Sequence, residues 1–115
     1  MKQLAERIKA LSDPTRLRII SLLANGELCI CDLMEGLALP QSRISRHMSM
    51  LKNAGWVEGR RSGKWTYYSL VKPGTKVADN ILAVLCEGLP ECSQSEEDHK
   101  RLTLYLKTKK NVPCD

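Results

Sequence analysis

A chain of 115 residues has room for one small domain with a modest core, which oligomerisation would help to stabilise. Its 18 Lys and Arg against 13 Asp and Glu leave a net charge of +5, which suits an acidic partner such as nucleic acid. No apolar run approaches the roughly 20 residues that cross a membrane. Met1 to Arg7 is charged and amphipathic, without the apolar stretch of an export signal behind it. Five cysteines, an odd number, argue against a disulfide framework. The expectation is a cytosolic, thiol-reduced protein with no membrane partner.

Leu4, Ile8 and Leu11 recur at helical spacing, so the first dozen residues predict an amphipathic helix. Asp13-Pro14 restarts the chain as N-cap and first helical residue. Leu17, Ile20 and Leu23 carry the second helix to a stop at Asn25-Gly26. A short apolar piece, Leu28-Cys29-Ile30, leads into a brief helix from about Cys31 to Ala38. Pro40 interrupts, and a longer helix is predicted from about Ser42 to Asn53, closed by Gly55.

Trp56 to Arg61 and Lys64 to Leu70 read as a β-hairpin turning at Ser62-Gly63. Val77, Ile81, Leu82, Val84 and Leu85 make an apolar helix that stops near Gly88. After Pro90 and a polar stretch, a last helix carries Leu102, Tyr105 and Leu106. The domain is expected to run through residue 110, with 111–115 as a disordered tail. Helix, helix, short helix, longer helix, hairpin, helices: this order describes a mainly α fold, the winged helix-turn-helix. The first and last helices are then natural dimerisation elements around it, and a homodimer fits the two-fold symmetry of most operators.

In the fourth helix Ile44, Met48 and Leu51 would pack inward. Gln41, Ser42, Arg43, Ser45, Arg46 and His47 would project outward near its N-terminus, where they can meet base edges and phosphates of double-stranded DNA. Arg60, Arg61 and Lys64 at the hairpin tip suit a wing laid on the DNA backbone. From Arg43 to Lys76 eight basic residues face a single acid, Glu58. A solvated polar helix face with a charged turn is the alternative, and the helix order favours DNA. His47 by itself is as compatible with a structural role.

Two thiols one residue apart, Cys29 and Cys31, lie immediately before this unit. Thiolates select soft or thiophilic ions. In a regular helix residues two apart point about 200° apart, whereas in an extended segment they share a side. Extended backbone through Ile30 with the helix starting at Cys31 is therefore expected, and a helix N-terminus favours the reactive thiolate. Burial as small hydrophobes is the competing role for both.

Four segments together resemble the ArsR/SmtB metalloregulators over about residues 4 to 71. They are Leu11-Ser12-Asp13-Pro14-Thr15-Arg16-Leu17, Glu27-Leu28-Cys29-Ile30-Cys31-Asp32-Leu33, Gln41-Ser42-Arg43-Ile44-Ser45-Arg46-His47 and Gly63-Lys64-Trp65-Thr66-Tyr67-Tyr68. The resemblance implies a dimeric winged-helix repressor released from DNA by a metal or metalloid, with no cofactor required. The thiol segment is similar to the arsenite and antimonite sensors, in which Cys29 and Cys31 would be ligands of As(III) or Sb(III). In those sensors the equivalents of Ser42, Ser45, Arg46 and His47 lie on the DNA-reading helix.

Such sensors place a third cysteine where this chain has Met34, which also completes an apolar set with Ile30, Leu33 and Leu37. Cys86, Cys92 and Cys114 remain open as sources of a third sulfur. Cadmium and lead sensors of the family add cysteines from an N-terminal extension, and none precedes Cys29 here. Zinc sensors use Asp and His on the C-terminal helix, whereas His99 stands alone beside Glu96, Glu97 and Asp98 and is expected to be solvated. A thiol redox switch is a further alternative, although an i, i+2 disulfide is strained. An enzyme such as an arsenate reductase is not expected: no phosphate-cradling loop surrounds any cysteine, and no general base accompanies one.

Overall fold

The computed structural model describes residues 1–109. The expected tail over 111–115, and with it Cys114, lies outside the described residues. The elements run α1 (Lys2–Ala10), α2 (Pro14–Leu23), β1 (Leu28–Cys29), α3 (Ile30–Leu37), α4 (Gln41–Asn53), β2 (Val57–Ser62), β3 (Trp65–Leu70), α5 (Lys76–Gly88), a 3-10 turn (Leu89–Glu91) and α6 (Ser93–Thr108). The described fold is a winged helix-turn-helix, as the element order predicts. Among the described residues no helix is long and apolar enough to cross a membrane.

Local chemistry sets the boundaries. The Asp13 carboxylate accepts the Arg16 N–H at 3.0 Å and Pro14 opens α2, satisfying a donor that the helix itself leaves unpaired. Thr75 caps α5 in the same way through the Ala78 N–H. Helix α3 ends on Ala38, held left-handed at φ +56°, and Pro40 starts the chain again into α4. The interior of the motif is Ile19, Ile20 and Leu22 of α2, Leu33 and Leu37 of α3, and Ile44 and Leu51 of α4, all essentially without solvent exposure. Trp56 joins them, and its indole N–H donates to the Arg7 carbonyl at 2.9 Å, which ties α1 to the centre. Met34 is half-buried against this core, the packing role its apolar spacing predicts.

The sheet is antiparallel in the order β1-β3-β2. Ser62 pairs with Trp65, so the two loop residues are Gly63 and Lys64, one position later than predicted. The cause is Gly63 at φ +65°. The first loop position of a tight hairpin of this kind requires positive φ, and glycine reaches it without a Cβ penalty.

The last helix departs most from expectation. It begins at Ser93, inside what reads as a polar linker, and lies across α2 and α3. Two of its polar residues, Ser95 and Asp98, are buried, and half-buried His99 places Nε2 3.2 Å from the Ser21 hydroxyl.

Candidate DNA interface and thiol site

Helix α4 buries Ile44, Met48 and Leu51 and leaves Gln41, Ser42, Arg43, Ser45 and Arg46 exposed. Pro40 offers no side-chain cap, so the first backbone N–H groups of α4 point into the same surface. Such a helix end, flanked by two arginines, attracts phosphate. His47 sits differently. It is turned toward α2, with Nδ1 3.8 Å from Asp13 Oδ2 and no hydrogen-bond partner among the described residues for that nitrogen. Desolvation, reinforced by Arg16, Arg43 and Arg46 and opposed by Asp13, holds its pKa below the ordinary 6.5. The shift favours the neutral imidazole, so His47 adds little positive charge to the surface.

On the wing, Arg61 and Lys64 are exposed. Arg60 is not a free cation: its guanidinium grips Glu27 through contacts of 2.6 and 3.1 Å and lies 5.1 Å over the Tyr67 ring. The pairing raises Arg60 and lowers Glu27 from their ordinary pKa values. Glu27 was not a sequence-predicted partner. It lies 33 residues from Arg60 and is brought beside it because β1 adds to the hairpin edge.

Cys29 and Cys31 straddle a strand-to-helix junction. Cys29 is extended, pairs with Tyr67 across the sheet, and is buried. Its N–H donates to Asp32 Oδ2 at 3.0 Å, which makes Cys29 the N-cap of α3. Helix α3 consequently starts at Ile30, one residue earlier than predicted, and half-buried Cys31 is its second residue. The spacing Cys29-x-x-Asp32 carried that signal in the sequence.

The other oxygen of Asp32 accepts from Lys109 Nζ at 2.7 Å, and the same ammonium lies 3.6 Å from Cys29 Sγ. Desolvation pulls the Lys109 pKa down, but the hydrogen bond to Asp32 and the charges of Asp32, Cys29 and Tyr105 outweigh it, so Lys109 is raised above 10.5. Neither Asp32 nor Lys109 was singled out as a site residue from sequence, because their proximity depends on how α6 lies.

Cys29 also lines a cavity of about 200 Å³ together with Ile30, Gln41 and Ser45 of α4, and Lys64 and Trp65 of the wing. The other described cysteines are elsewhere. Cys86 is half-buried near the end of α5, where burial pushes its thiol up, and exposed Cys92 caps α6 at the end away from Lys109. Among the described residues no group of three or more His, Cys, Asp or Glu is gathered into one place. His99 is engaged with Ser21.

A three-helix motif with an exposed basic reading helix and a charged wing is the architecture of winged-helix transcription regulators. The family model for bacterial regulatory proteins of the arsR family matches residues 13–58, and the chain belongs to that family. It is 47% identical over 73 residues to an uncharacterised HTH-type transcriptional regulator of Methanocaldococcus jannaschii, covering 63% of this chain and 82% of that one. It is 48% identical over 63 residues to the arsenical resistance operon repressor of Escherichia coli, a match that spans 54% of each chain. Only about half the length of that repressor is thus shared. Among solved structures, the homodimeric winged helix-turn-helix DNA-binding domain from Mycobacterium bovis superposes with a TM-score of 0.64 at 28% identity, covering 80% of this chain and 82% of that one.

Proposed function

We propose that this chain is a transcriptional repressor that binds operator DNA as a homodimer and is released by trivalent arsenic or antimony held at Cys29 and Cys31. The observation that carries the reading is the shared cavity: one sulfur, two residues of the reading helix and the wing-tip Lys64 line the same space. A change at sulfur is thereby adjacent to both elements that would touch DNA. Thiolate donors fit a thiophilic centre, and the similarity to an arsenical resistance repressor supports the metalloid class.

In this reading Arg43, Arg46, Arg61 and Lys64 hold phosphates, and Gln41, Ser42 and Ser45 meet base edges. Exposed apolar side chains support the dimer: Val77 and Val84 on α5 and Ile8 on α1 are 52%, 66% and 44% exposed. Bonding one centre to both Cys29 and Cys31 draws a strand residue and a helix residue together, which distorts the first turn of α3. Helix α3 packs on α4, so the reading helix shifts with it. A 100-fold loss of operator affinity requires about 2.7 kcal/mol of coupling.

The experiment is fluorescence anisotropy of operator DNA titrated with arsenite, antimonite, cadmium and zinc in phosphine-reduced buffer. Release by arsenite and antimonite with little effect of zinc is expected. Cys29→Ser combined with Cys31→Ser should bind DNA and ignore arsenite. Tight DNA binding unaffected by any of these ions sinks the sensing role and leaves the fold untouched.

A further inference from the structure

The second half of α4 carries a different surface from its reading end. Ser45, Ser49 and Lys52 recur at i, i+4 and i+7 and form one ridge facing the wing. On the wing, Arg61 pairs with Thr66 and Gly59 with Tyr68, so these four share one face of the hairpin. Arg60 is turned to the other face, where Glu27 neutralises it. Between ridge and hairpin lies a groove of about 360 Å³. Buried Met48 and half-buried Tyr68 line its inner side.

Both charged residues of the lining are cations, the exposed Lys52 and Arg61. Among the described residues neither takes part in an ion pair. Two cations that face one space repel until an anion stands between them. A helix packed on a hairpin for stability alone would close such a space with apolar side chains. Gly59 leaves it open. A Cβ there would stand 3.3 Å from Thr66 Cγ2 and 3.4 Å from Tyr68 Cε1, on the groove face. The Gly59 backbone is not left-handed, so glycine supplies room at this position and not a special dihedral.

We infer that this groove is a seat for one backbone phosphate of bound duplex DNA. Lys52 and Arg61 hold the phosphate from either side, the Ser49 and Thr66 hydroxyls donate to its oxygens, and Gly59 keeps the space clear. The inference rests on the reading of the chain as a DNA-binding dimer. None of Ser49, Lys52, Gly59 and Thr66 belongs to the reading end. Ser49 lies about 10 Å along the helix axis from Ser42, close to the roughly 12 Å width of the major groove. The first turns of α4 can therefore meet base edges while the seat takes the strand that borders the groove. Its role is to set the depth and tilt of α4, not to read sequence.

The test uses the full chain and a fluorescein-labelled duplex that the chain selects from a random pool, beside a scrambled duplex of equal length. Anisotropy is read across a series of salt concentrations. Lys52→Gln removes one phosphate contact per protomer, so the slope of log affinity against log salt should fall by about 2 per dimer. Both duplexes should weaken by the same factor, about tenfold or more at physiological salt. Lys52→Arg should restore slope and affinity. Lys100→Gln, a change to an exposed cation on α6, should match the native chain. Gly59→Val keeps both cations and suits a strand but fills the seat, so affinity should fall while the melting temperature holds. A native slope in Lys52→Gln, a slope equally lowered in Lys100→Gln, or native affinity in Gly59→Val overturns the seat. If the native chain prefers no duplex from the pool over the scrambled one, the DNA reading itself falls. If it shows that preference and the groove variants behave like the native chain, only the seat falls.

Discussion

Helix α6 is fastened to the motif at both ends by a carboxylate and a cation, but the two ends are built differently. Near its start, Asp98 is fully buried and accepts from Arg18 Nε at 2.8 Å, Arg18 Nη2 at 2.9 Å and Gln94 at 3.1 Å. Arg18 also reaches the Leu37 carbonyl and Arg101 the Gly36 carbonyl, while the Ser21 and Ser95 hydroxyls bond to each other in the interior. Its far end has, among the described residues, one ion pair, Lys109 to Asp32, resting on the Cys29 thiol, with Leu104 and Leu106 exposed on the turns before it. A network satisfied on every side moves only by breaking as a whole. A single pair against sulfur can be rearranged locally. The start of α6 is therefore framework, and its end is the part that a ligand at Cys29 can disturb.

The largest effect should come from breaking the framework. Arg18→Met leaves the Asp98 charge buried without its main partner, and loss of about 3–5 kcal/mol is expected, read by urea denaturation. A loss under about 1 kcal/mol would mean that water reaches Asp98 and that the two ends are alike. Next is Gly36→Ala, midway along the α3–α6 contact. A Cβ there would stand 2.8 Å from Leu22 Cδ1 and 3.3 Å from Leu102 Cβ, which overpacks three helices at a cost of about 1–3 kcal/mol. Lys109→Met should cost only about 1 kcal/mol, since the pair is partly solvated and Asp32 keeps the Cys29 N–H. That variant should bind operator within about twofold of the native chain, because no DNA-facing residue is touched. If Lys109→Met destabilises as much as Arg18→Met, the distinction between framework and releasable end collapses.

Much of this was legible in the sequence, and what was not has a physical reason. The motif helices announce themselves through Leu17, Ile20 and Leu23 or Ile44, Met48 and Leu51, because each buries an apolar stripe. The one-residue spacing of Cys29 and Cys31 was visible in the sequence, but not the cap that Asp32 makes on Cys29. The first half of α6 was not. Its buried residues are Ser95 and Asp98, so a pattern that equates polar with exposed reads Ser93 to Lys100 as a linker, although Arg18 and Ser21 are waiting on α2. The hairpin loop was misplaced by one residue because Ser62-Gly63 and Gly63-Lys64 are both plausible turn pairs until the strand register is known. His47 and Arg60 were read with the DNA-facing cations. Asp13 and Glu27 meet them in three dimensions, 34 and 33 positions away.

Alkaline pH gives the subtlest version of the comparison. Both cations are raised from their ordinary values: Arg18 by its hydrogen bond to Asp98, against burial and with help from the charges of Asp98 and Glu97, and Lys109 by Asp32 against a larger burial penalty. Arg18 is raised above the ordinary arginine value and stays charged wherever the protein is folded. Lys109 starts from 10.5 and can lose its proton. A group whose folded pKa is raised contributes stability that is fully present below the unfolded value and is lost as pH rises through the folded one. The end of α6 should therefore loosen above pH 10.5 while its start holds. Tyr105 and Cys29 face the same ammonium, so the lysine has to be isolated by comparison with Lys109→Arg, which keeps the ion pair and does not titrate. Urea midpoints measured from pH 9 to 11.5 should fall further for the native chain than for Lys109→Arg, by well under 1 kcal/mol in free energy. Identical curves would show that the Lys109 contact contributes nothing, and that the start of α6 alone fastens the helix to the motif.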